Sequence, residues 1–417
     1  MGNYSVVGGN RLEGDLTVQG SKNAVLPILA ATILNKGKSY LHNCPKILDV
    51  CNMINILKAI GCSVIWEDDV LIIDSSIITT DKIPENYVQT MRSSIIVLGS
   101  VLGRLKSVMI SFPGGCSIGV RPIDLHIKAL KQMNINIYDT SGFLKCTTNE
   151  IKGSTIHLDY PSVGATENIM LVAVLSSGTT KIYNAAKEPE IMELEIFLNT
   201  MGAKVSGAGT DCIIIEGVSK LKDVVYTVMP DRIVAGTFLA ATAITGGELL
   251  LKNVHANHLE AICSKLEEMG CFIKSNDNSL FIRSDGDLNA INLIRTSPHP
   301  GFPTDMQAQI MACLSIAKGT SIISETIFES RFKHVPELSK MGADIIIEGR
   351  LAIIKGVDKL HGSEVFAEDL RGGAALIIAG LAAEGKTVVH NSNHIIRGYE
   401  DFDDKLKQLG ANINYFD

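Results

Sequence analysis

The chain has 417 residues, of which 46% are hydrophobic, 20% charged and only 5% aromatic, enough for two or three domains with aliphatic cores. A formal net charge of −7 argues against broad binding to nucleic acid or to an anionic membrane, yet leaves room for a local basic pocket around a small anion. Nine cysteines, an odd number, are scattered without a C-x-x-C pair, which argues against a zinc site and reads as reduced thiols in a cytoplasmic protein.

The start, MGNYSVVGGNRLEGDL, has no apolar signal core, and Val6 stands where a myristoylation signal needs Ser or Thr. Apolar runs last about a dozen residues, too short to span a bilayer. Nothing in the sequence calls for a metal or a cofactor, and nothing in it fixes an oligomeric state.

Residues 1–20 read as a strand region. A phrase then recurs: LKAIGCSVI, LKQMNINIY, LNTMGAKVS, LEEMGCFIK, LSKMGADII and LKQLGANIN. Its markers are Gly61, Asn134, Gly202, Gly270, Gly342 and Gly410, spaced by 73, 68, 68, 72 and 68 residues. This is an internal repeat in six copies. An amphipathic helix is expected before each marker, as in EDFDDKLKQLG. The marker suits the left-handed residue that ends a helix. The β-branched run after it, such as DIIIEGRLAIIKG, reads as a hairpin.

Each copy holds a second helix: SKNAVLPILAATIL, TMRSSIIVLGSVL, ATENIMLVAVLSS, DRIVAGTFLAATAIT, TDMQAQIMACLSIA and DLRGGAALIIAGLAA. These are almost uncharged on every face, the mark of a helix buried all round. The expected fold is therefore α/β turned inside out. It consists of two barrel-like domains, each of three repeats, with buried helices and outer sheets. Two domains of about 200 residues suit the usual domain size better than one ring of six. The boundary falls near YTVMPDRI, giving 21–229 and 1–20 plus 230–417. The sixth copy stops abruptly at Asp417, so residues 1–20 are expected to pair within the second domain.

The buried helices are polar where they begin: Ser21, Lys22 and Asn23; Thr90 and Arg92; Thr166; Asp231 and Arg232; Thr304 and Asp305; Asp369 and Arg371. Ser21, Thr166 and Thr304 are ordinary N-cap types. A Lys or Arg in the first turn opposes the helix dipole, so an anion is expected there. N–H groups, dipole and guanidinium together suit a phosphate or carboxylate. Parallel packing would bring the starts within a domain to one side, and two such domains would enclose a cationic cleft.

The stretch PGGCSIGVRPIDLH, residues 113–126, has Gly114, Gly115 and Gly119 around Cys116. Such a loop suits a lid. Arg121 beside an anion cleft would lower the thiol pKa and make Cys116 reactive. The other cysteines sit in apolar runs such as MACLSIA and read as buried small hydrophobes.

These residues also carry a resemblance. GSKNAVLPILAA, TMRSS, PGGCSIGVRPIDLH, SVGATENIM, NAAKEPEI, PDRIVAGTF, SPHPGFPTDMQAQ, ESRFKHVPEL, EDLRGGAAL and IIRGYEDFDDKL resemble the UDP-N-acetylglucosamine 1-carboxyvinyltransferases of the enolpyruvyl transferase family, from about residue 5 onward. The resemblance implies transfer of the enolpyruvyl group of phosphoenolpyruvate to the 3′-hydroxyl of UDP-N-acetylglucosamine, with release of phosphate. That is the first committed step of peptidoglycan synthesis. It implies small-molecule partners and neither nucleic acid nor membrane.

By the same resemblance Cys116 delivers the proton to C3 and can add covalently to phosphoenolpyruvate, and Asp305 is the base toward the sugar hydroxyl. Lys22, Arg121 and Arg397 bind the phosphate and carboxylate of phosphoenolpyruvate, with Asn23, Asp369 and Arg371 lining the same place. Arg92, Arg121, Pro122, Ile123, Asp124, Leu125, Ser162, Val163, Gly164, Asp305 and Ile327 surround the uridine and sugar. Core packing is an alternative for Leu125 and Ile327, and helix capping for Asp305. Arg232 and Arg331 read equally as ion-pair partners or ligands, and His126 and His299 as loop caps. Tyr160-Pro161 stands where many family members have Lys-Val, which leaves the nucleotide more to Arg92 and Arg121. Rival readings are a shikimate-phosphate enolpyruvyl transferase, a catalytically silent UDP-sugar sensor, and an unrelated thiol hydrolase.

Overall fold

The computed structural model describes residues 2–114, 118–119, 122–140 and 142–416. The chain forms two compact bodies. The first is Gly20–Cys116 with Arg121–Met229, and the second is Met1–Gln19, Ser117–Val120 and Pro230–Asp417. The bounds read from the sequence differ from these at Gly20 and at residues 117–120.

In the first body the helices are α1 (Lys22–Ala31), α2 (Leu48–Ala59), α3 (Glu85–Thr90), α4 (Ile96–Leu105), α5 (Asp124–Gln132), α6 (Val163–Ala173) and α7 (Pro189–Thr200). The inner three are α1, α4 and α6, whose apolar residues are buried almost throughout. Burial of side chains such as Leu29, Leu102 and Ile169 stabilises the body by about 1.5–3 kcal/mol each. Glycine lets two of these helices approach closely. A Cβ on Gly99 of α4 would lie 2.7 Å from the Asn168 carbonyl oxygen of α6.

Ser21 caps α1 by accepting from the Ala24 N–H, and Ser162 caps α6 by accepting from the Ala165 N–H at 3.3 Å. Thr166, expected as a cap, lies inside α6. A cap residue needs extended backbone, which Ser162 has, and the Thr166 hydroxyl instead accepts from the Ala186 N–H at 3.1 Å.

Each outer sheet is a hairpin joined to a central strand. Ser63–Glu67 and Val70–Asp74 lie antiparallel beside Lys38–His42, and Val224–Thr227 lies parallel on its other edge. The parallel strand comes from the third repeat and pairs with the first, so the three repeats close into a ring. Thr155–His157 on Thr179–Tyr183, and the Lys82–Met109 bridge, make the other two links.

The second body repeats the plan with α8 (Arg232–Thr245), α9 (Glu260–Glu268), α10 (Gln307–Leu314), α11 (Val335–Lys340), α12 (Leu370–Ala382) and α13 (Phe402–Gln408). Here α8, α10 and α12 are the inner helices. In its last repeat the hairpin is shared by distant parts of the chain. Asn3–Val7 lies antiparallel between Lys386–His390 and Asn412–Phe416. Glu13–Thr17 then runs parallel to Glu248–Lys252 and closes this ring. The N-terminal strands therefore pair within the second body.

The six markers all adopt positive φ, from 66° at Asn134 to 115° at Gly61, and each follows an outer helix. No helix among the described residues is long and apolar enough to cross a membrane.

Candidate active site

In the first body, Lys22 is the first residue of α1, and its ammonium meets the Asp49 carboxylate at 2.8 Å. Asp49 lies in the first turn of α2 and is buried. The anion expected at this helix start is thus supplied in part by the chain itself. Asn23, half-buried, follows Lys22 on α1. Arg92 opens a 3-10 turn just before α4. Ile123 is buried at the N-cap of α5, with Pro122 and Asp124 exposed beside it, and Leu125 packs half-buried on the core. Ser162, Val163 and Gly164 form the start of α6, next to exposed Tyr160.

His126 ties two of these segments together. Asn168 Oδ1 accepts from the Gly99 N–H at 2.7 Å, which fixes the amide orientation. Asn168 Nδ2 then donates to the Ile95 carbonyl and to His126 Nδ1 at 3.0 Å. Nδ1 is thereby the acceptor, and the ring proton sits on Nε2. That edge faces α6: a Cβ added to Gly164 would lie 3.5 Å from Nε2. Burial, with Arg92 adding to it against Asp124, pushes the His126 pKa down to about 4. The imidazole is a neutral strut between the start of α5 and the start of α6.

In the second body, Asp305 lies in a 3-10 turn, Thr304–Met306, ahead of α10 and caps no helix with its side chain. Arg331 Nη2 donates to Oδ1 at 2.9 Å, while Arg371 Nη2 and Nε reach Oδ2 at 3.2 and 3.4 Å. The guanidiniums are buried, 3% and 4% exposed, whereas the carboxylate retains 27%. The pair therefore fixes both oxygens from behind and leaves the carboxylate as the outward member. Arg331 is thus an ion-pair partner here. Arg371, assigned by resemblance to phosphoenolpyruvate, is turned onto Asp305 and lies over the Tyr399 ring.

Asp369 is the N-cap of α12, accepting from the Arg371 and Gly372 N–H groups. His334 is buried nearby. Burial pushes its pKa down to about 4, with Arg331 adding to this and Asp369 opposing it. Arg397 is half-buried in the turn after Ser392–His394. Arg232, first residue of α8, and His299 line a cavity of about 70 Å³ with His258 and Glu260.

Glu325 was not legible as a site residue. It is 1% exposed. Its Oε2 accepts from the Thr304 hydroxyl at 2.9 Å and its Oε1 from the Ile327 and Phe328 N–H groups at 2.8 and 3.1 Å. It binds the Asp305 turn to the Ile327 turn. Asp49 and Asn168 were missed likewise, because their partners lie far along the sequence.

Cys116 and Arg121 lie outside the described residues. Among the described thiols, burial pushes Cys62, Cys146 and Cys263 up to about 12 and Cys271 up to about 11. At ordinary pH these are protonated and poor nucleophiles.

The fold and the full-length sequence of this chain match a class of transferase seen in known proteins. The EPSP synthase (3-phosphoshikimate 1-carboxyvinyltransferase) family model matches residues 6–406, and the chain belongs to that family. It is 54% identical over 413 residues to UDP-N-acetylglucosamine 1-carboxyvinyltransferase 2 of Caldanaerobacter subterraneus subsp. tengcongensis, with 99% of each chain covered. It is 47% identical over 411 residues to UDP-N-acetylglucosamine 1-carboxyvinyltransferase of Myxococcus xanthus, with 98% of each covered. Among solved structures, the enolpyruvyl transferase NikO from Streptomyces tendae superposes with a TM-score of 0.90 at 23% identity, over 99% of this chain and 98% of that one. EPSP synthase from Acinetobacter baumannii gives 0.76 at 18% identity, with full coverage of both chains. These two likenesses concern the fold.

Proposed function

We propose that this protein transfers the enolpyruvyl group of phosphoenolpyruvate to the 3′-hydroxyl of UDP-N-acetylglucosamine, releasing phosphate. The observation that carries this is the end-to-end identity, 47–54%, with relatives named for that reaction. A shikimate-phosphate acceptor is disfavoured on the same ground, since the EPSP synthase structure is only 18% identical.

The enol carbon C2 of phosphoenolpyruvate is a poor electrophile until C3 gains a proton. Cys116 is the proposed donor. Asp305 takes the proton of the sugar hydroxyl as its oxygen bonds to C2. The tetrahedral adduct then loses phosphate from C2 and a proton from C3, restoring the double bond. General acid and base steps of this kind contribute roughly 10²–10⁴-fold each. Arg331 and Arg371 hold both oxygens of the Asp305 carboxylate, so part of its contribution is fixed orientation toward the hydroxyl. Lys22 and Arg397 are the proposed cations for phosphoenolpyruvate. The starts of α5 and α6, braced by His126 and Asn168, are the proposed nucleotide-sugar contacts of the first body. We also propose a cytoplasmic location, because scattered free thiols suit a reducing compartment.

The test is acceptor-dependent phosphate release. Release from phosphoenolpyruvate should require UDP-N-acetylglucosamine, and release with shikimate 3-phosphate instead would overturn the assignment. Alkylation by an epoxide phosphonate such as fosfomycin should disappear in Cys116→Ser. Persistent labelling of that variant would remove Cys116 from its role.

A further inference from the structure

We infer that Asp49 is a positioning residue for the enolpyruvyl-transfer reaction, holding the Lys22 ammonium at 2.8 Å in the place where it meets the anion of phosphoenolpyruvate. The inference rests on the reading of Lys22 given above and extends it to a residue that no motif pointed out.

Two observations carry it. First, the two charges sit at two helix starts with opposite consequences. Lys22 is the first residue of α1, where the dipole disfavours a cation, and Asp49 is in the first turn of α2, where the dipole favours an anion. Lys22 is therefore poorly served by its own helix and depends on the carboxylate of the next. Second, burial is unequal. The Asp49 side chain is 1% exposed and that of Lys22 is 11%. The carboxylate is the inner member and the ammonium the outer one, so the pair presents its cation.

The alternative is a purely structural ion pair. Losing one member of a buried pair destabilises the protein in either case, so stability alone does not discriminate. Substrate discrimination and coupling do. The substitutions are Asp49→Asn, Lys22→Gln and both together, in the full-length enzyme, with thermal melts run alongside.

Asp49→Asn should lower kcat/KM for phosphoenolpyruvate about ten- to a hundredfold, the range expected for loss of a charged hydrogen bond. The KM for UDP-N-acetylglucosamine should stay within about twofold. In the Lys22→Gln background, Asp49→Asn should add no further loss. A folded Asp49→Asn enzyme with normal phosphoenolpyruvate kinetics, beside a crippled Lys22→Gln enzyme, overturns the role of Asp49 alone. So does a full additive loss in the double variant. Normal kinetics in Lys22→Gln overturns the reading of Lys22, and the Asp49 proposal falls with it. If Asp49→Asn does not fold, Asp49→Glu keeps the charge and displaces it by one methylene. A loss confined to phosphoenolpyruvate then supports the proposal, and an equal loss for both substrates overturns it.

Discussion

Acid should weaken the first body through one buried ring, and a single substitution should remove that sensitivity. Folded His126 resists protonation down to about 4, because burial disfavours the charge and Nδ1 already accepts from Asn168. An unfolded imidazole takes its proton near 6.5. Between those values the unfolded chain binds a proton that the folded chain does not. Stability from this group is therefore complete above 6.5 and is lost as pH falls toward 4. At pH 5.0, one and a half pH units below the ordinary value, the loss is about 2 kcal/mol at about 1.36 kcal/mol per pH unit.

Glu167 works in the opposite direction. Burial, together with Glu190 and Glu188, raises its pKa, so its proton favours the folded state as pH falls. Glu193 and Glu195, also raised by burial, act likewise. The whole body thus shows a shallower slope than His126 alone would give. His126→Gln isolates the ring: it keeps an acceptor for Asn168 but does not titrate. Trp66, the single tryptophan, lies in strand Ser63–Glu67 of the first body, so its emission during urea unfolding reports that body. Between pH 7.5 and 5.0 the wild type should lose about 2 kcal/mol more than the variant. Equal losses would refute the neutral-strut account of His126.

Other outcomes follow from the packing. Arg104 Nη1 donates to the carbonyls of Ile33, Asn35 and Ser75 at 2.8, 2.5 and 2.6 Å, and Nη2 to that of Ser76 at 3.1 Å. Arg104→Lys cannot reproduce that fork and should cost about 2–4 kcal/mol by Trp66-detected unfolding, whereas an unchanged midpoint would mean that the carbonyls find other donors. Gly99→Ala should cost about 1–3 kcal/mol by overpacking against Asn168, and a neutral effect would show that α4 and α6 can separate. Glu325→Ala should raise the KM for UDP-N-acetylglucosamine about tenfold through the freed Ile327 and Phe328 amides. An unaltered KM with a lowered melting temperature would make Glu325 a stability residue only.

The six-copy plan was legible because every copy needs a left-handed residue after its outer helix and an uncharged helix inside, and both leave local marks. The ends of the repeats were legible for the same reason. Partners across the fold left no such marks. Asp49 reads in sequence as an ordinary acidic residue in a helix first turn, and its burial against Lys22 depends on how α1 and α2 pack. Ser162 and Thr166 were equally good cap types, and only the backbone chose between them. The cations at helix starts did imply anions. At Lys22 and Arg371 the structure draws carboxylates from Asp49 and Asp305, which sequence spacing could not join.

The shared hairpin of the second body has a consequence for synthesis. Strand Asn3–Val7 is made almost 380 residues before Lys386–His390, its neighbour. At about 5–20 residues per second, that strand waits roughly 20–80 s for its neighbour. The first body, apart from its short break at 117–120, is continuous in sequence and can complete its ring within that interval. A strand with two bare edges is exposed to wrong pairing throughout the delay. Its short length, with Gly8, Gly9, Asn10 and Arg11 immediately behind it, limits how far such pairing can extend.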